Sequence, residues 1–231
     1  MQQTTTTPAA QAAKPKAPVP PPEFQEGAIA RMDAAGLISI LRNAASTEFQ
    51  KAKACMRLGE LAPKEAVPAL AALLGDEKMN TYARYGLEPI ADPAADEALR
   101  AALPKLKGNL LIGVINSINK RRDAKALPAL TKLMQGADGE VARAAAAAIG
   151  SIGTAEAAKT LQAALPKSAG PMKMAVADAA LVCAERMLAE GRREQGLALY
   201  AFLSGPEVPA AARHAAMTGI IREETSVSRP R

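Results

Sequence analysis

Residues 139–165 read GEVARAAAAAIGSIGTAEAAKTLQAAL, and this stretch decides the fold. Leu161, Ala164 and Leu165 stand at i, i+3 and i+4, the spacing of one helix face. Ile149 and Ile152, three apart, mark the same kind of face on the segment before it. Between them, Gly153 supplies a helix-stopping C′ residue and Thr154 an N-cap. The stretch is therefore two helices joined by a tight turn. Its alanine run, Ala144 to Ala148, loses little side-chain entropy in a helix and permits close approach of a neighbour.

The same two faces recur along the chain. Leu70-Leu73-Leu74, Leu99-Ala102-Leu103, Leu130-Leu133-Met134 and Leu199-Phe202-Leu203 repeat the triplet, and the lead residues fall at steps of 29, 31, 31 and 38. Leu58-Leu61, Leu87-Ile90 and Ile115-Ile118 repeat the pair, alternating with the triplets. Asp92 before Pro93 caps another helix start, and Thr47 is a further N-cap candidate. Helices this short cannot shield such faces alone, so the units must stack. The expected fold is all-α: a right-handed α-solenoid of about five stacked helix pairs, with N-terminal capping helices over residues 27–45. Helix pairs are expected at 48–61 with 65–75, 79–90 with 94–106, 109–120 with 124–135, 139–152 with 155–165, and 171–189 with 192–204, followed by a lone helix at 208–222. Aromatics make up 3% of residues and tryptophan is absent, which argues against a strand-rich alternative.

The domain organisation follows. Residues 1–22, rich in Thr, Ala and Pro, read as a disordered, partly polyproline tail or linker. Residues 24–224 form the solenoid, and 225–231 (TSVSRPR begins at Thr225) a disordered C-terminus that cannot supply a second helix. The last unit thus ends without a polar cap. We expect that end to meet a partner or a second copy, or the chain to be part of a longer array. No run of 18 apolar residues exists to span a membrane. The tail favours an exported, periplasmic chain whose leader is replaced by Met1, with a cytoplasmic protein bearing a loose end as the alternative.

The units resemble the short bacterial HEAT repeats of the PBS-lyase type, whose pattern is roughly V-R-x-x-A-A-x-A-L-G-x-I-G followed by A-x-x-x-L-x-x-L-L. Val141, Arg143, Ala144, Ala145, Ala148, Ile149, Gly150, Ile152, Gly153, Leu161 and Leu165 occupy those places, with Arg143 one position late. The resemblance runs from about residue 48 to 222. It is loose in the second unit, and in the fifth AEGRREQGLALYAFL is similar to a tetratricopeptide helix pair. It implies a protein-binding scaffold, since family members mostly act that way, although some are chromophore lyases.

Catalytic residues are sparse. The chain has one histidine, His214, and two cysteines, Cys55 and Cys183, four units apart and too distant for a disulfide. No metal site, cofactor site or catalytic group is expected, and the chain reads as a non-enzyme. In the rival reading, a lyase or glycosylase, Glu97 or Asp178 would be tested first. Charge is more informative. Lys105, Lys107, Lys120, Arg121, Arg122 and Lys125, with Arg100 and Lys132, face only Asp123 between Arg100 and Gln135. They mark a basic patch, either cations at helix C-termini or an anion- or nucleic-acid-binding surface. Second helices line the concave side in solenoids of the resembling family. The residues after each lead leucine would then form an outward groove, with Arg100, Thr131, Lys132, Gln162 and Tyr200 as candidate partner contacts and Arg100 and Tyr200 as anchors. The expected role is a scaffold for a protein partner.

Overall fold

Helix starts follow their caps closely. Thr47 accepts from the Gln50 amide at 3.2 Å while Gln50 Oε1 accepts from the Thr47 amide at 2.9 Å, a complete capping box. Asp92, Asp138 and Thr154 likewise accept from amides of the first turn that follows each. The structure, a computed structural model, describes residues 27–227. Among them are twelve α-helices and no strand. A 3₁₀ turn, Ile29–Arg31, and α1 (Ala34–Arg42) cap the array. Five pairs follow: α2 (Glu48–Leu61) and α3 (Val67–Ala71), α4 (Asn80–Leu87) and α5 (Pro93–Ala102), α6 (Gly108–Arg121) and α7 (Leu127–Met134), α8 (Gly139–Ile152) and α9 (Ala155–Ala164), α10 (Gly170–Ala189) and α11 (Arg193–Leu203). The last helix is α12 (Ala210–Val227).

The first helices α2, α4, α6, α8, α10 and α12 pack one on the next as a layer. The second helices form the other layer, and each packs on the first helix of the following unit. Leu70, Leu99, Leu130 and Leu161 are fully buried at equivalent places, and Leu199 nearly so. Small residues bring the first layer together. A Cβ on Gly150 would sit 2.3 Å from the Ala179 carbonyl oxygen, and one on Gly86 would sit 3.1 Å from that of Cys55. These two glycines therefore set the distance between neighbouring first helices.

Several expectations need correction. Second helices are shorter than the periodicity implies. Leu103 and Leu165 leave the α-helix and open 3₁₀ turns (Leu103–Lys105, Leu165–Lys167), because Pro104 and Pro166 have no amide to continue the ladder. Leu61, the last residue of α2, is 43% exposed, and Phe202 is exposed as well. At the other end α12 continues through Thr225 to Val227, so the segment expected to be disordered from 225 is helical to 227. Thr225 donates to the Ile221 carbonyl at 3.0 Å, an in-helix bond that satisfies its hydroxyl. The expected tail at 1–22 and residues 228–231 lie outside the described residues.

Three first helices end in the left-handed region, at Ala62 (φ +49°), Arg122 (φ +56°) and Gly153 (φ +67°). Only the third has the residue suited to it. A side chain is strained there by roughly 1 kcal/mol. Ala62→Gly is expected to stabilise the protein by about 0.5–1 kcal/mol, less the entropy glycine adds to the unfolded chain. A urea titration showing a lower midpoint than the parent would contradict it.

Candidate functional site

The second-helix layer is less tightly closed than the first. A cleft of 740 Å³ lies between α5 with its 3₁₀ turn and α7. Leu103, Leu111, Leu133 and Val141 form its apolar floor, and Arg100, Lys107, Lys132 and Asp138 its rim. Two further clefts follow the same layer. One of 560 Å³ lies between α7 and α9, with Thr131, Met134 and Met172 in its wall. One of 320 Å³ lies beyond α9 against the end of α11, walled by Leu165, Phe202 and Val208. The clefts thus repeat with the units.

The proposed contact column divides across this surface. Arg100 and Lys132 reach the first cleft and Thr131 the second, its hydroxyl donating to the Leu127 carbonyl at 2.8 Å. Gln162 is half-buried on α9 and lines none of the three. Tyr200 is a correction: it is 2% exposed and is no groove anchor. Its ring lies over Gly219 of α12, where a Cβ would meet it at 2.5 Å. Burial, helped by Glu185, pushes its phenol pKa up.

The basic patch also divides. Arg100 pairs with Asp123. Lys120 pairs with Glu88 at 2.7 Å, which holds the ammonium above its ordinary pKa. Arg122 lies 3.8 Å from Glu190. Arg121 is an interior group, its side chain 10% exposed. Its Nε donates to Asp96 at 2.5 Å and its Nη2 to the same carboxylate at 3.1 Å. Its Nη1 donates to the carbonyls of Leu87, Glu88 and Ile90 at 3.3, 2.7 and 2.7 Å. One guanidinium therefore satisfies the C-terminus of α4 and holds the second unit to the third. Apart from Asp123, the acids that balance this patch, Glu88, Asp96 and Glu190, lie outside residues 100–135 and so escape a count along that span. The separation of 32 residues between Glu88 and Lys120, about one repeat, was the available signal. Lys105, Lys107, Lys125 and Lys132 are exposed and pair with no carboxylate among the described residues.

The polar residues between the second and third units form a structural network. Buried Asn80 donates to the Leu74 carbonyl at 2.5 Å and accepts from Arg84 Nε at 2.8 Å, and buried Ser117 donates to Glu88 at 2.8 Å. Burial lowers the Arg84 pKa. Sequence reading gave no role to these residues.

Cys55 and Cys183 are free and fully buried. Burial pushes the Cys55 thiol up to about 12 and that of Cys183 up to about 11. Both are therefore thiols at neutral pH and poor nucleophiles. We expect Ellman's reagent to titrate neither in the folded protein and both in denaturant; fast labelling of the native chain would contradict their burial. His214 is exposed on α12, whereas Cys183 is buried on α10. Glu97 and Asp178 are exposed in different layers, on α5 and α10. Among the described residues no group of three His, Cys, Asp or Glu could hold a metal ion, and no helix is long and apolar enough to cross a membrane.

Stacked antiparallel pairs in two layers, sealed by a shared apolar seam, define an α-solenoid. Residues 87–180 match the family model of HEAT repeats. Two solved structures align with the chain. One is an engineered protein, 17% identical, with 84% of this chain and 98% of that chain covered at a TM-score of 0.49. Another is the complex of CpcE and CpcF of phycocyanin lyase from Nostoc sp. PCC7120, 16% identical, with 87% and 86% covered at a TM-score of 0.44. No curated protein matches the chain.

Proposed function

We propose that the chain is a non-catalytic scaffold that binds a protein partner along its second-helix layer. The observation that carries this reading is the series of three clefts, repeating with the units on one layer. Side chains of an elongated partner can enter successive clefts, and such anchors dominate contact energy. The clefts between α5 and α7 and between α7 and α9 would supply Arg100, Lys132 and Thr131 as contacts, with Gln162 on α9 beyond the second cleft.

A photo-crosslinking amino acid at Ala101, Lys132 or Ala163, on the second layer, tests it against one at Asn116 or Ala147, on the first. All five positions are exposed. In cells that make the protein, a discrete protein adduct is expected from the second-layer positions. Adducts from the first layer alone, or none, would defeat the proposal.

The rival anion-binding reading rests on the basic middle units. Ion pairs of Arg100, Lys120, Arg121 and Arg122 weaken it. Lys105, Lys107, Lys125 and Lys132 remain for phosphate, so duplex DNA binding is expected to show a log–log salt slope no steeper than about −4. A much steeper slope with submicromolar affinity would restore that rival.

A further inference from the structure

The cleft between α5 and α7 has the most cationic rim of the three: Lys167 is the one cation in the wall of the second, and Glu207 stands in that of the third. Lys107 and Lys132 stand at its edge, exposed and without a carboxylate partner among the described residues. Arg100 is already paired with Asp123. Asp138, the one rim carboxylate, has Oδ1 turned to the amides of Glu140 and Val141 at 3.1 and 3.2 Å, where it caps α8. The rim is therefore cationic above an apolar floor of Leu103, Leu111, Leu133 and Val141.

Resting on the scaffold reading above, we infer that this cleft takes an acidic amphipathic helical segment of a partner protein. Its apolar face would lie on the four floor residues, and its carboxylates would meet Lys107 and Lys132. The chain's own N-terminal stretch is the wrong occupant by charge: residues 1–22 carry Lys14 and Lys16 and no acid. Charge complementarity of this kind selects partners and sets register more than it adds affinity.

The test uses two labelled synthetic peptides of about twelve residues, with leucines at i, i+3, i+4 and i+7. One carries glutamate at the remaining positions and the other lysine. Fluorescence anisotropy with the full chain is expected to show the glutamate peptide binding at least tenfold more tightly than the lysine peptide. K107E/K132E, both at exposed positions, is expected to reverse that order while circular dichroism stays unchanged. Equal binding of both peptides, or an unchanged order in the double variant, would overturn the inference. So would displacement of the glutamate peptide by sodium laurate below its micelle point, which would make a small amphiphile the occupant. Self-association abolished by the double variant would overturn it too, by making a second copy the occupant. If second-layer crosslinks form and the glutamate peptide does not bind, the scaffold reading stands and only this partner chemistry falls.

Discussion

Leu130→Asp is expected to unfold the centre of the array. Leu130 is fully buried on α7, which packs on α8 across the seam between the third and fourth units. Truncating such a leucine to alanine alone costs about 2–5 kcal/mol. Aspartate adds the desolvation of a carboxylate placed in the apolar core. The combined effect is comparable to the whole stability of an ordinary domain, about 5–15 kcal/mol. Each unit touches only its neighbours, so the damage should be graded along the chain. Amide exchange is expected to lose protection first in α6, α7 and α8, with loss of helical ellipticity. Leu130→Ala is expected to fold with a lowered midpoint. An aspartate variant that melts like the parent would mean the seam is assigned to the wrong residues.

Arg121→Ala is expected to cost about 3–5 kcal/mol, the range for removing one partner of a buried ion pair. The change leaves Asp96 without its partner and the carbonyls of Leu87, Glu88 and Ile90 without this donor. Arg121→Lys restores the charge but not the fork that reaches a carboxylate and three carbonyls together, so it should recover only part of the loss. A double-mutant cycle with Asp96→Ala isolates the pair and is expected to give a coupling of about 0.5–3 kcal/mol. A loss under 0.5 kcal/mol in Arg121→Ala would place this guanidinium among the ordinary surface charges.

These two residues also mark what could be read from the sequence. Leu130 was legible because its face is written locally, at i, i+3 and i+4, and repeated at one spacing. Thr47, Asp92, Thr154 and Gly153 were legible for the same reason, since caps act on amides within a turn or so of themselves. Arg121 was not. It sits beside Lys120 and Arg122 and looks like part of a basic run, whereas its partners lie a repeat away on another helix. Tyr200 failed in the opposite direction. Its position after the lead leucine pointed outward, but its ring is long enough to reach Gly219 on a helix whose contact no local pattern encodes. The clefts depend on the distance between second helices, which composition suggests only weakly. Arg100, Thr131 and Lys132 were legible as members of an outward column, but their division between two clefts was not.

The offset between the two layers has a practical consequence. In the first three units the second helix leans on the following first helix more than on its own, so the pieces that cohere are α3 with α4, α5 with α6 and α7 with α8. Fragments cut at the recurring sequence boundary, after α7 for instance, would separate halves of one physical block. Excision between α6 and α7 and again between α8 and α9 would remove an intact block instead. Evolution by duplication, and any engineer shortening this array, would find the less disruptive joints in the middle of each written motif.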